Sequence, residues 1–273
     1  MTLRGPEYNQ IHIRLEVGAA LGIQRAVGSR LASFLSKTLP GYRRHDAVSI
    51  EAIAAVLLPG DVVLVEGGTR ISIAIKYLTQ SSWSHACLYV GECGGSASQP
   101  NLLEADLQNG VRLVALEHYS EFNLRICRPV ALNEQDQGRL IAYAKSKLGH
   151  QYDLKNVVDL MRYLIQKPAV PNRYRRAMIG LGSGEPTRAI CSTLVAEAFQ
   201  SIDYPILPIR GQDTGVEGEV PVFYRRHFTH FVPRDFDLSP YFQVIKPTLE
   251  HGFNYKELKW GDNAEAVSAD NPE

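Results

Sequence analysis

The apolar positions change from a helical spacing near the N-terminus to short runs in the middle of the chain. Between residues about 9 and 39 they recur every three or four positions, which predicts an amphipathic helix. Farther on, short apolar runs between turn-forming residues predict strands at 61–65, 84–90, 102–105, 111–114 and 124–130. Helical patterns predict helices at 49–58, from Thr69 to Leu78, and at 134–148, 154–165 and 191–201.

These elements predict an α+β fold with an antiparallel sheet packed against helices. Asn109-Gly110 lies between two predicted strands and is a dipeptide favoured in tight hairpin turns. We divide the chain into an N-terminal helical extension (1–48), one main folded domain (49–248) and a polar C-terminal tail (249–273), whose last residues are acidic.

The composition is that of an ordinary globular protein. Of 273 residues, 45% are hydrophobic, which is enough for a sizeable core. Lys plus Arg and Asp plus Glu are both 29, and this neutral balance argues against a nucleic-acid partner. We find neither the ~18 to 20 apolar residues of a membrane span nor the layout of a signal peptide, so we predict a cytoplasmic protein. Peripheral membrane contact through the basic N-terminal helix stays open as an alternative.

The cysteines do not form a metal or disulfide pattern, since none lies in a C-x-x-C pair. Cys87, Cys93 and Cys127 are interpreted as small buried hydrophobic residues. Cys191 differs because it lies in the first turn of a predicted helix, where the helix dipole and unpaired backbone N–H groups favour a thiolate. We predict no metal and no cofactor.

Two further polar residues occur in predicted strands that are otherwise apolar. His85 begins one strand, where a rigid element can present it to a thiol as a general base. Glu104 lies in the next strand and suits the third position of a triad, which fixes the imidazole by accepting a hydrogen bond from its other nitrogen. Taken alone, His85 also fits a core histidine and Glu104 an exposed edge charge.

Five short motifs occur in an order that resembles a known family. They are Leu58-Pro-Gly-Asp-Val-Val, Ser84-His-Ala-Cys-Leu-Tyr-Val-Gly, Glu104-Ala, Gly149-His-Gln-Tyr-Asp and Ile190-Cys-Ser-Thr-Leu-Val. This order resembles the circularly permuted papain-like branch of the NlpC/P60 superfamily, the YiiX/YaeF-like group, with lecithin:retinol acyltransferase-like proteins as relatives. In that branch the histidine strand precedes the cysteine helix.

The resemblance implies a papain-like fold and a cysteine hydrolase that cleaves an amide or ester through an acyl intermediate. It implies Cys191 as the nucleophile, His85 as the base and Glu104 as the third residue, with Tyr152 near the substrate cleft. The substrate is expected to be a peptide, a conjugate or a lipid. Two alternatives stay open: a lipid-directed acyltransferase, thioesterase or phospholipase, and a binding domain without catalysis.

Overall fold

The computed structural model describes Lys37 and residues 48–91, 101–106, 109–150, 190–210, 223–250, 252, 254 and 256. Its α-helices are α1 (Ile50–Val56), α2 (Arg70–Thr79), α3 (Glu134–Ser146), α4 (Ile190–Gln200), α5 (Pro233–Leu238) and α6 (Pro247–Glu250). Its strands are β1 (Val62–Glu66), β2 (His85–Tyr89), β3 (Leu102–Asp106), β4 (Gly110–Val114), β5 (Asn123–Pro129), β6 (Ile209–Arg210), β7 (Phe223–Tyr224) and β8 (Phe242–Ile245). Two 3-10 helices cover Leu116–Tyr119 and Phe228–His230.

Six strands form one antiparallel sheet in the order β4-β3-β2-β1-β5-β8, and β6 pairs with β7 separately. The strands and helices confirm the predicted α+β class. The hairpin between β3 and β4 lies near the predicted turn, but Gly110 is the first residue of β4 and pairs with Asp106, so Asn109-Gly110 is not a two-residue turn. The φ of Gly110 is 71°, in the left-handed region that glycine adopts readily. The register of this hairpin places Glu104 directly opposite Arg112.

The sheet is buried on both faces because alternate residues of its central strands point to opposite sides. On one face, Leu64, Ala86 and Leu88 share a core with Leu194 and Phe199 of α4. On the other face, a second core joins the sheet to α1 and to the first 3-10 helix through Val63, Cys87, Tyr89, Ile53 and Leu116. Helix α4, which carries Cys191, therefore packs directly against β2 and β3.

A buried ion pair joins the residue before β1 to strand β5. The Asp61 side chain is 1% exposed, and its carboxylate accepts bonds of 2.9 and 2.8 Å from the Arg128 guanidinium and 2.8 Å from the Leu58 backbone N–H. Asp61 lies at the opposite end of β1 from Val65, the partner of His85. The Asp of the Pro-Gly-Asp motif is therefore a structural residue.

The sequence patterns found the main elements and missed one that bears on the site. The predicted strands and the helices near residues 49, 69, 134 and 191 are confirmed, with ends that differ by one or two residues. The 3-10 helix Leu116–Tyr119 was not predicted, because a single turn has no periodicity to detect. The helix at 154–165 and the end of the tail lie outside the described residues, as does the predicted N-terminal helix except for Lys37, which is not helical. Within the described part of the chain, no helix combines the length and the apolar character that crossing a membrane requires.

Candidate active site

His85 stands at the start of β2, and the residues before it are firmly anchored. The buried Ser84 hydroxyl accepts a 2.9 Å hydrogen bond from the backbone N–H of Gly67. The Trp83 indole donates to Asp237 of α5 over 3.1 Å. The His85 side chain itself remains 22% exposed. The imidazole is therefore held on a rigid element while a molecule in solution can still reach it.

Glu104 holds one nitrogen of the His85 ring. Its Oε2 lies 2.7 Å from His85 Nε2, and its side chain is only 3% exposed. Two more side chains bind the same carboxylate. Arg112 donates to Oε1 from Nε and Nη2, both over 2.9 Å, and the Tyr119 hydroxyl donates to Oε2.

These contacts keep the carboxylate ionised. Burial by itself raises the pKa of Glu104, but the hydrogen bond and charge of His85, the Tyr119 hydroxyl and the charge of Arg112 together lower it to about 2. Burial and the neighbouring Cys87 and Glu104 raise the pKa of Tyr119 well above its usual value, so its hydroxyl stays protonated and acts as a donor.

Cys191 reaches this site from the first turn of α4, which begins at Ile190. The residue is 5% exposed, and its thiol interacts with the His85 ring. The ladder between β2 and β3 is limited to Leu88↔Leu103 and Tyr89↔Leu102. Ahead of Leu88 on β2, the backbone amide of Ala86 interacts with the Cys191 sulfur instead. The separation of the two strands thus gives the thiol access to His85.

The local interactions favour an ionised Cys191. Burial opposes ionisation of the thiol, but the charge and hydrogen bond of His85, the Ala86 amide and the Ser192 hydroxyl outweigh it and lower the pKa of Cys191. Burial likewise lowers the pKa of His85, whereas the two neighbouring sulfurs, those of Cys87 and Cys191, raise it well above its usual value. The two shifts have opposite directions, as expected for a thiolate and imidazolium pair.

The other described thiols behave differently. Burial raises the pKa of Cys87 and of Cys127, so both stay protonated at neutral pH. Of the described thiols beside the imidazole, Cys191 is the one whose pKa the site lowers, whereas that of Cys87 is raised. Cys93 lies outside the described residues.

One group of side chains near the site has donor types that also bind metals. The ligand atoms of His85, Cys87 and Glu104 lie within 4.8 Å of one another. However, Glu104 already accepts bonds from three side chains, and one of them is the cationic guanidinium of Arg112, which repels a metal ion. The contacts therefore fit a hydrogen-bonded carboxylate better than a metal ligand.

The structure brings together Cys191, His85 and Glu104, which lie far apart in the sequence. Tyr152 lies outside the described residues. Arg112 and Tyr119 are site residues that sequence reasoning missed. A two-residue turn at Asn109-Gly110 would not place Arg112 opposite Glu104, so this pairing was not detectable from the sequence and follows from the observed register of β3 and β4. Tyr119 had no detectable signal either.

An antiparallel sheet and a buried helix whose first turn carries a cysteine beside a strand histidine define the papain-like class of fold. Residues 56–164 of the chain match the model of a family described as permuted papain-like amidase enzyme, YaeF/YiiX. This segment contains His85 and Glu104 and ends before Cys191. The match confirms the resemblance to the permuted YiiX/YaeF-like group. Because amidases are hydrolases, it also supports a hydrolase of this class.

No curated protein matches the chain significantly. Among solved structures, the crystal structure of the metalloprotein YiiX from Escherichia coli O157:H7 is similar at 15% identity, with a TM-score of 0.42, covering 69% of this chain and 96% of that one.

Proposed function

We propose that this protein is a cysteine-dependent hydrolase that cleaves an amide or ester through an acyl intermediate on Cys191, with His85 as the base and Glu104 as the third member of a triad. The observation that carries the proposal is the pair of contacts on one imidazole. The ring interacts with the Cys191 thiol and binds Glu104 through Nε2 over 2.7 Å.

The first step needs a thiolate, and the contacts of Cys191 support one. Because Glu104 accepts a hydrogen bond from the N–H at Nε2, His85 Nδ1 is the nitrogen that takes the thiol proton. The resulting imidazolium is stabilised by an ionised carboxylate whose pKa is about 2. The thiolate in turn gains from the positive end of the α4 dipole.

Acylation follows ordinary thiol chemistry. The Cys191 sulfur attacks the substrate carbonyl, and its electron pair forms a C–S bond while the carbonyl π pair moves to oxygen. Backbone N–H groups in the first turn of α4 have no partner inside the helix and can donate to that oxyanion. The intermediate collapses as His85 gives its proton to the leaving amine or alcohol, and an acyl thioester remains.

Deacylation uses the same residues, but His85 now acts as a base instead of an acid. Neutral His85 removes a proton from water, the hydroxide attacks the thioester, and the C–S bond breaks to release a carboxylic acid. If an alcohol or amine replaces water, the same step becomes acyl transfer. The substrate is proposed to be a peptide, a conjugate or a lipid, and it would approach along the exposed part of His85.

A test that needs no natural substrate is alkylation of the full-length protein by iodoacetamide at neutral pH, with each cysteine followed by peptide mass spectrometry. We expect Cys191 to react at least tenfold faster than Cys87 and Cys127, whose thiols are protonated and 0% exposed. His85→Asn should abolish this preference. Cys127→Ser is the matched control and should leave it unchanged. Equal rates at all three cysteines would refute a thiolate at Cys191.

A second test traps the acyl intermediate. With p-nitrophenyl acetate, wild-type protein should release a burst of nitrophenol and gain one acetyl group on Cys191 in the intact mass, whereas Cys191→Ala should do neither. A screen of peptide, phospholipid and thioester substrates with the same pair of proteins then identifies the acyl donor. An unchanged burst in Cys191→Ala would reject the proposed nucleophile.

A further inference from the structure

One oxygen of the Glu104 carboxylate, Oε2, is shared between two close donors, and the Cys87 thiol lies 4.0 Å from it as a weaker third. Oε2 accepts a hydrogen bond from His85 Nε2 and another from the Tyr119 hydroxyl, while Arg112 occupies Oε1. Tyr119 is 6% exposed and is held by its own packing, since its ring contacts Phe122 edge-on with centroids 6.1 Å apart. Its hydroxyl therefore has a fixed direction toward the oxygen that holds the base.

We infer that Tyr119 is a positioning residue for the proposed reaction, which acts through Glu104 to set how strongly His85 holds its proton. This inference rests on the proposed function, because it assigns Tyr119 a role in that same site. Tyr119 does not need to touch the substrate or the reacting atoms.

The physical reason is competition for electron density on one oxygen. A hydroxyl that donates to Oε2 withdraws charge from it and weakens the bond that Oε2 makes to the imidazolium. The positive end of the hydroxyl dipole also points toward the His85 side of the carboxylate. Both effects lower the proton affinity of His85. A general acid that holds its proton too strongly delivers it slowly to a leaving group, so such moderation favours the acylation step.

Other groups also act on His85, and the test must separate them from Tyr119. Cys87 lies on the same strand, Cys191 comes from α4, Arg112 faces Glu104 from β4, and Glu104 itself comes from β3. Cys87 Sγ lies 3.6 Å from the Tyr119 hydroxyl oxygen and is protonated. Removing the Tyr119 hydroxyl leaves all of these side chains in place, but it takes one hydrogen bond from Glu104 and one contact from Cys87.

The experiment is an NMR titration of the histidine ring carbons in full-length protein labelled at His Cε1, with the His85 signal assigned from its loss in His85→Asn. In Tyr119→Phe we expect the His85 titration midpoint to rise by about half a pH unit, because one hydrogen bond to Oε2 is lost. In Glu104→Gln the midpoint should fall by more than about one pH unit, since the partner anion is gone. The opposite signs separate loss of the hydroxyl from loss of the carboxylate.

Tyr204→Phe is the matched control. The Tyr204 hydroxyl also makes contacts in the folded protein, to the carbonyl oxygens of Val130 and Tyr241 over 2.8 and 2.7 Å, and neither partner belongs to the proposed site. This variant should lose stability without moving the His85 midpoint. A purely structural Tyr119 would behave in the same way as Tyr204.

A second measurement keeps the packing intact. Replacing tyrosine by 3-fluorotyrosine during expression makes the phenol a stronger donor, and the His85 midpoint should then fall. A midpoint in Tyr119→Phe that equals or lies below that of wild type would overturn the inference, as would a rise with fluorotyrosine. Selective alkylation of Cys191 in wild type tests the proposed function separately, so a failure of the Tyr119 role alone leaves that alkylation intact.

Discussion

Replacing Glu104 by Gln removes one negative charge from the centre of the site with almost no change in volume. The side chain is 3% exposed, so solvent screens its interactions little. In the wild-type protein the carboxylate accepts bonds from His85, Arg112 and Tyr119. The substitution leaves these donors facing a neutral amide. We therefore expect a large and pH-dependent change in the free energy of unfolding.

The magnitude follows from the pKa of Glu104. Its value falls from an ordinary 4.5 to about 2 in the folded protein. At about 1.4 kcal/mol for each pKa unit, this difference of about 2.5 corresponds to about 3 kcal/mol of stability. Because the folded pKa is the lower one, the contribution is complete above pH 4.5 and is lost as the pH falls toward 2.

His85 contributes a second pH dependence of the free energy of unfolding, and its sign is opposite to that of Glu104. Its folded pKa lies well above the ordinary 6.5, so its contribution is complete below pH 6.5 and is lost as the pH rises through the folded pKa. For this pair, the wild-type stability should be greatest between about pH 4.5 and 6.5. In Glu104→Gln, stability should depend much less on pH below about 4.5, and the loss of stability above about pH 6.5 should become smaller.

The assay is urea unfolding followed by far-UV circular dichroism from pH 2.5 to 8. The difference between wild type and Glu104→Gln should shrink from about 3 kcal/mol at pH 6 to well under 1 kcal/mol near pH 2.5. Glu66→Gln is the matched control, since Glu66 is 24% exposed and lies 3.4 Å from Lys76, which predicts a change below about 1 kcal/mol. A wild-type minus Glu104→Gln difference that stays constant between pH 2.5 and 5 would refute the reasoning.

Three further predictions concern stability and are checked by the same unfolding measurements at neutral pH. Asp61→Ala should lower the free energy of unfolding by about 3 kcal/mol, because it leaves the Arg128 guanidinium without its carboxylate. Adding Arg128→Met should recover part of this loss. Equal stability of the single and double variants would contradict the reasoning. Phe199→Ala should cost about 3 to 5 kcal/mol, since the ring is 0% exposed beneath the sheet. Gly138→Ala should stabilise helix α3 by about 1 kcal/mol, because an added Cβ there meets nothing within 4 Å; a loss would show that the glycine is needed.

The catalytic candidates were accessible from local sequence to different degrees. Cys191 could be placed at a helix start because the apolar spacing after it is regular over the whole length of α4. His85 and Glu104 could be placed on strands because a polar residue is conspicuous in an apolar run. The turn dipeptide Asn109-Gly110 indicated a hairpin between these strands, but the register that pairs Glu104 with Arg112 became known only from the structure.

Local patterns alone determined the main secondary structure elements, the α+β class and the residues that stand out chemically, because hydrophobic spacing and turn residues act over a few neighbouring positions. The tertiary structure decided which of those residues meet. The contact of Cys191 with His85 exists because β2 and β3 part at one end and α4 packs against them there. The presence of Tyr119 depends on a single 3-10 turn that places its hydroxyl on Glu104. Contacts of this kind depend on the packing of distant elements, which short-range sequence patterns do not encode.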